Sequence, residues 1–232
     1  MRLAVMQPYL FPYIGYFQLI NAVDSFVLYD DVSFIKQGWI NRNRILVSGK
    51  PLFFTVPIKK QSSFKRISET EIVEDQRWLK KVLSSLKYSY GKAVYFNEAM
   101  DIVTGVLCAK TRLISEMASI SLVSICNYLD IGTKFIYNPD GYNNSSLKKE
   151  DRIIDICLKE GADEYINLIG GKELYSKEKF QAKGIGLHFL EPKDIRYVQF
   201  GADFAPWLSI IDVIMFNPIE RIKHYLRDYI LS

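Results

Sequence analysis

Histidine is almost missing from this chain, two in 232 residues, and that scarcity narrows the chemistry before any motif is considered. His188 sits among apolar residues of an expected strand and His224 on an expected terminal helix. Both read as structural, and neither suits a Ser-His-Asp or Cys-His relay. Cysteine is scarce as well. Cys108, Cys126 and Cys157 lie in apolar stretches without metal-ligand spacing, so buried thiols in a reducing compartment are expected, and no metal site. No apolar run approaches the ~20 residues that cross a bilayer, which argues against direct membrane insertion. Met1 leads straight into a strand-like segment with no basic region or cleavage site, so the expected location is cytoplasmic. Neither sign of charge dominates: 30 basic and 26 acidic residues give +4. The basic residues are scattered, a balance that suits an anionic small substrate and gives no reason to expect DNA. Repeats, heptads and low-complexity tracts are absent too.

What is present is an α/β rhythm. Arg2 to Met6 predicts a buried strand, Ile14 to Val23 a helix with one apolar stripe, and Ser25 to Tyr29 a second strand. Packed this tightly, the three form a right-handed parallel unit. Ile45 to Val47 and Leu52 to Val56 predict a hairpin with a loop longer than minimal. Residues 59–65 are polar and form a candidate lid, followed by an edge strand over 66–73. Helices are expected at Trp78 to Tyr88 and, as a pair, within 96–129. Alternation then resumes, with strands at 134–137, 164–168 and 187–190, a helix at 151–158, and a terminal helical stretch over 208–230 interrupted by Pro218. Asn138-Pro139-Asp140-Gly141 predicts a turn leading into a polar loop that could touch ligand. The length suits one core. We therefore expect a single α/β domain over 1–232, with a Rossmann-like, largely parallel sheet, a β-hairpin and a helical insertion at about 76–130.

In open α/β sheets ligands sit beyond the carboxyl ends of the strands, which points to Gln7 to Tyr13 and to Asp30 to Lys36. Gln7, Tyr13, Asp30 and Lys36 are candidate substrate contacts on that ground, with Tyr13 and Tyr16 as stacking surfaces and Phe17 as core. Gly15 opens the helix under this loop, where a close backbone approach would exclude a Cβ. A carboxylate of Asp30-Asp31 at a strand end can act as general base, bind a hydroxyl, hold Mg²⁺, or simply cap the strand. Adjacent strand residues face opposite ways, so one of the pair enters the site, and Asp31 is preferred. Asn41-Arg42-Asn43-Arg44 places two guanidiniums on one side of a strand and two amides on the other. The arginines suit a phosphate or a salt bridge to Asp30 or Asp31, and the amides suit an oxyanion. Gly170-Gly171-Lys172 after a strand lets backbone N–H groups approach an anion, or is an ordinary turn; it lacks the Walker spacing.

The run from Gln7 to Phe17, Asp30 to Lys36, Trp39 to Arg44, Tyr165 to Tyr175 and Leu208 to Asn217 resembles the WbqC-like family over nearly the whole chain. One departure is Tyr13, where the commonest form of the motif has Trp; an aromatic wall survives that change but an indole N–H does not. The resemblance implies a bacterial polysaccharide or O-antigen setting and a transferase building or acylating an unusual amino sugar. On that expectation Arg42, Arg44 and Lys172 hold the diphosphate of a nucleotide-linked amino sugar. Asp31 takes the amine proton, and Asn41 or Asn43 donates to the oxyanion as an acyl or aminoacyl group of unknown origin is transferred. The cofactor stays unknown, and a homo-oligomer is compatible with the sequence. The alternative is a non-catalytic protein that binds a sugar nucleotide or a glycosyltransferase. A third reading comes from Tyr13-Ile14-Gly15-Tyr16, which is similar in position to the H-x-G-H start of nucleotidylyltransferases and pantothenate synthetases but lacks both histidines.

Overall fold

The computed structural model describes residues 1–137, 139–201 and 203–232. Its first unit follows the hydrophobic pattern closely. Strand β1 (Arg2–Met6) runs into helix α1 (Ile14–Asn21) and parallel strand β2 (Ser25–Leu28). The hairpin of β3 (Arg42–Val47) and β4 (Lys50–Thr55) forms a separate antiparallel sheet. Its turn is shorter than expected: Val47 pairs with Lys50, so Ser48 and Gly49 alone make the reversal, at φ of 51° and 74°. Positive φ at both central residues matches the twist of the strands, as two-residue hairpins require. Residues 66–73 form no edge strand; Ile67–Glu69 is a 3-10 turn, and single bridges such as Ile58 to Ile72 replace a ladder.

The helical insertion consists of α2 (Arg77–Tyr90), α3 (Phe96–Leu107) and α4 (Ile114–Tyr128). Strand β5 (Lys134–Ile136) follows, then a 3-10 turn over Pro139–Tyr142 and helix α5 (Lys149–Glu160). Asn138, first residue of the expected turn, lies outside the described residues. Strand β6 (Glu164–Leu168), a 3-10 turn (Ile169–Leu174), helix α6 (Lys177–Gln181) and strand β7 (Gly186–Pro192) complete the parallel set. Pro218 ends α7 (Ile210–Phe216) and caps α8 (Ile219–Tyr225), as a residue without an N–H should. The chain's last segment is not helical. Tyr229–Leu231 is an antiparallel edge strand, β8, on β7, too short to leave a period in the sequence.

The larger sheet has the order β5-β2-β1-β6-β7-β8, the first five strands parallel. Strand residues alternate between two cores: Leu3, Val5, Val27 and Tyr165 join α5 and α6 on one face, while Ala4, Phe26, Leu28 and Ile166 join α1 and the insertion on the other. This is the doubly wound Rossmann arrangement, with the chain reversing its direction of travel across the sheet between β1 and β6. Those two strands pair only through Arg2 to Glu164 and Leu3 to Tyr165. By contrast, β1 stays with β2 to Met6, and β6 stays with β7 to Leu168. The sheet therefore splits at its carboxyl edge. An Arg2 to Glu164 salt bridge of 2.7 Å closes the opposite edge.

Among the described residues no helix is long and apolar enough to cross a membrane. Cys126 and Cys157 are buried, and desolvation pushes both thiols up to about 12; Cys108, expected to be buried, is exposed.

Candidate functional site

The split between β1 and β6 opens into a cavity of about 640 Å³, within the size range of small-molecule sites. Met6 and Gln7 line it from one strand end, Asn167 and Leu168 from the other, and Tyr29 from the end of β2. The proline-rich loop supplies Tyr9, Pro12 and Tyr13. It is a rigid wall because its backbone is bonded from three directions. The Asn43 amide donates to Leu10 O at 3.1 Å and Phe11 O at 2.8 Å, the Ser209 hydroxyl donates to Phe11 O at 2.7 Å, and Phe11 N–H donates to Ser121 at 3.1 Å. Phe11 sits at φ of 44°, a backbone that a bulky residue adopts only when its surroundings enforce it.

Of the residues expected in the site, Gln7, Tyr13, Asn43, Arg44, Gly170 and Gly171 line this cavity. Gly171 needs its missing side chain, since a Cβ would lie 2.5 Å from Asn167 Nδ2; at Gly170 nothing would obstruct one. The other expected residues are elsewhere. Tyr16 is fully buried and donates to Gln7 O at 2.6 Å, which holds the end of β1 but contributes no stacking surface. Gly15 lies beneath the ring of Tyr13 and so shapes the wall from behind. Lys36 and Lys172 are exposed and do not line the cavity. Asp30 faces a second cleft with residues of α4. Residues 59–65 form no lid over the cavity; Lys59 pairs with Glu71 at 3.2 Å and with Glu74.

The three residues expected to do chemistry are committed internally. Asp31 is buried against Arg152, which also donates to Asn144 at 2.8 Å and lies 4.8 Å over the ring of Tyr29. Asp31 does not line the cavity, and the Arg152 guanidinium holds one of its two oxygens. Asn41 donates to Val56 O at 2.8 Å and stitches β3 to the end of β4, and Asn43 anchors the loop as described. The alternation of the Asn-Arg run is as expected, with the amides inside. The arginines part company, however. Arg42 donates to Gly38 O at 3.2 Å and to Gln37 O and lies 4.3 Å over Phe53, outside the cavity. Arg44 reaches in, and it is the one ionised side chain among the described residues lining it.

Tyr29, Trp39, Asn167, Tyr175 and Trp207 also line the cavity and were not selected from sequence. Asn167 and Tyr175 flank the Gly-Gly turn, so strand-end logic could have found them. Trp207 carried no local signal. Burial raises the hydroxyls of Tyr9, Tyr29 and Tyr175, and takes Tyr13 to about 12, with Tyr9 adding to the effect. All four remain protonated donors near neutral pH. Behind β3, the buried carboxylate of Asp212 accepts from Tyr90 at 2.7 Å and from Tyr197 and Gln199 at 2.6 Å. Tyr90 in turn accepts from Leu46 N–H at 2.7 Å. Burial raises the Asp212 carboxyl. This network ties the segment leading to Trp207 to the strand carrying Arg44.

Fold and geometry define a Rossmann-type α/β protein with a cationic, aromatic cavity at the point where its strand order reverses. The chain belongs to the WbqC-like protein family, whose model matches residues 7–224. It is 28% identical over 228 residues to an uncharacterised protein of Mycobacterium tuberculosis, a match covering 97% of each chain. No solved structure matches it.

Proposed function

We propose that the cavity binds a nucleotide-linked amino sugar and that the protein is a transferase acylating or aminoacylating the sugar amine in surface polysaccharide assembly. The observation that carries this reading is the lining itself: aromatic rings, amides and one guanidinium, with no carboxylate among the described residues. An amine attacks a carbonyl only as the free base. Burial disfavours the ammonium form, so the apolar walls favour the nucleophilic state without a protein base, while Arg44 is left to meet the diphosphate. This replaces the role expected of Asp31. The nitrogen forms its bond to the donor's carbonyl carbon, the donor's leaving group departs, and the nitrogen's proton goes to that leaving group.

Thermal shift provides the test. Nucleotide-linked amino sugars should raise the melting temperature more than ATP or the free sugar, a ligand at a hundred times its Kd contributing about 2.7 kcal/mol. The shift should grow as pH rises through the amine's own pKa, near the ~8 of an α-amino group. An N-acylated analogue should show no such slope. Tighter binding at acid pH would mean that the ammonium form binds and would defeat the reading; equal shifts from ATP would favour adenylation. Arg44→Lys should weaken binding about ten- to a hundredfold, because an ammonium cannot make a two-pronged contact. Arg42→Lys should leave affinity unchanged, although the sequence alone gives the two arginines the same role.

A second reading, a non-catalytic protein that binds a sugar nucleotide or a glycosyltransferase, draws support from the internal commitment of Asp31, Asn41 and Asn43. Incubation with amino-sugar nucleotide and a panel of acyl and aminoacyl donors, read by mass, separates the two. Binding with no product from any donor leaves the second reading standing.

A further inference from the structure

Two of the chain's three tryptophans line this one cavity. Trp39 precedes β3 and Trp207 precedes α7, and they are 38% and 58% exposed. Arg44 joins them. Its guanidinium carbon lies 5.7 Å from the centroid of the Trp39 ring, and its Nη2 donates to Trp207 O at 3.0 Å. Its Nε is buried and has no hydrogen-bond partner among the described residues. Each indole has an aromatic backing: Phe53 at 5.9 Å from Trp39, and the edge-on ring of Tyr13 at 5.7 Å from Trp207. Trp207 also adopts φ of 60°, a left-handed backbone that costs any bulky residue and that recurs at ligand clamps. Large rings held rigid, exposed and partly strained at a cavity mouth gain little from the chain's own packing. A flat ligand that covered them would recover that loss.

The inner end has a different character. Gln7 and the buried Asn167 line it, and Gln7 Oε1, itself buried, has no hydrogen-bond partner among the described residues. Such an end suits the hydroxyls and neutral nitrogen of a sugar ring.

We infer that Trp39 and Trp207 form a stacking clamp for the nucleobase at the mouth of the cavity, with the diphosphate on Arg44 and the sugar directed inward to Gln7 and Asn167. This rests on the nucleotide-sugar reading and adds an orientation and a base-binding subsite to it. Because every base has a stacking face, the clamp tolerates base identity and selects mainly for the presence of a base.

Titration of the intact protein with uridine, cytidine, adenosine and guanosine diphosphates, followed by tryptophan emission, tests it. Each should quench saturably, and inorganic pyrophosphate should not. Trp78 does not line the cavity and donates to Val73 O at 3.2 Å, so its emission should persist as background. Trp39→Leu and Trp207→Leu should each raise Kd by about five- to a hundredfold. Trp207→Phe, which keeps a ring and the fold, should lose less than Trp207→Leu. Nucleoside diphosphates that stabilise the protein without quenching it, bind no tighter than pyrophosphate, or keep their affinity in both leucine variants would overturn the clamp and leave the nucleotide-sugar reading intact. If neither diphosphates nor nucleotide sugars bind at all, both fall.

Discussion

Asp31→Asn should lower unfolding stability by about 3–5 kcal/mol, the usual cost of removing one partner from a buried ion pair. Against a total of roughly 5–15 kcal/mol, that loss is large enough to be plain in urea unfolding. The side chains of Asp31 and Arg152 are only 2% and 8% exposed. An amide in place of the carboxylate keeps an acceptor but removes the countercharge, leaving the Arg152 guanidinium buried among neutral groups such as Asn144 and Tyr29. Asp31 Oδ1 has no hydrogen-bond partner among the described residues, so the pair contributes less than its geometry suggests. Replacing both residues, as Asp31→Leu with Arg152→Met, should therefore recover much of the lost stability. Full stability in Asp31→Asn, together with lost turnover, would return Asp31 to the reaction and remove the structural account.

Gly15→Ala sets two effects against each other. Alanine gains up to ~1 kcal/mol of helix propensity over glycine. The added Cβ, however, would stand 2.7 Å from Pro192 Cγ and 2.7 Å from Tyr13 Cζ, with Tyr13 Cε2 closer still. Overpacking of that kind costs about 1–3 kcal/mol, so the clash should win. Pro192 ends a paired strand and yields little, so the Tyr13 ring must move, and Trp207 packs edge-on against it. The expected result is a folded protein, slightly less stable, with nucleotide-sugar affinity largely lost. Adding Tyr13→Ala removes the ring clash but should not restore affinity. A Gly15→Ala variant that melts higher and binds normally would detach the cavity wall from this turn, and the site placement with it.

Much of the architecture was legible because it rests on short-range periodicity. The stripe in Ile14 to Val23, the apolar runs of β1, β2 and β6, and the break at Pro218 all act over one or two turns of chain. Strand-end logic then located the cavity and reached Gln7, Tyr13 and the Gly-Gly turn. The same logic also selected Asp31 and Asn41, which do not line the cavity, and Asn43, which lines it while its amide holds the loop. Polar residues gather near strand ends both to meet ligands and to satisfy loop carbonyls and buried charges, and sequence does not separate those uses.

The sequence by itself determined the strand and helix order, the alternation of Asn41 and Asn43 against Arg42 and Arg44, and the edge of the sheet where a ligand would sit. Tertiary structure alone decided which charges remain free there. Arg152 meets Asp31 across 121 positions, and Trp207 meets Arg44 across 163. Nor does any local pattern reveal that β1 and β6 separate after two paired residues. Burial and ion pairing are contests among all groups that folding brings within a few ångströms. Their outcome depends on distances that a residue's sequence neighbours do not carry.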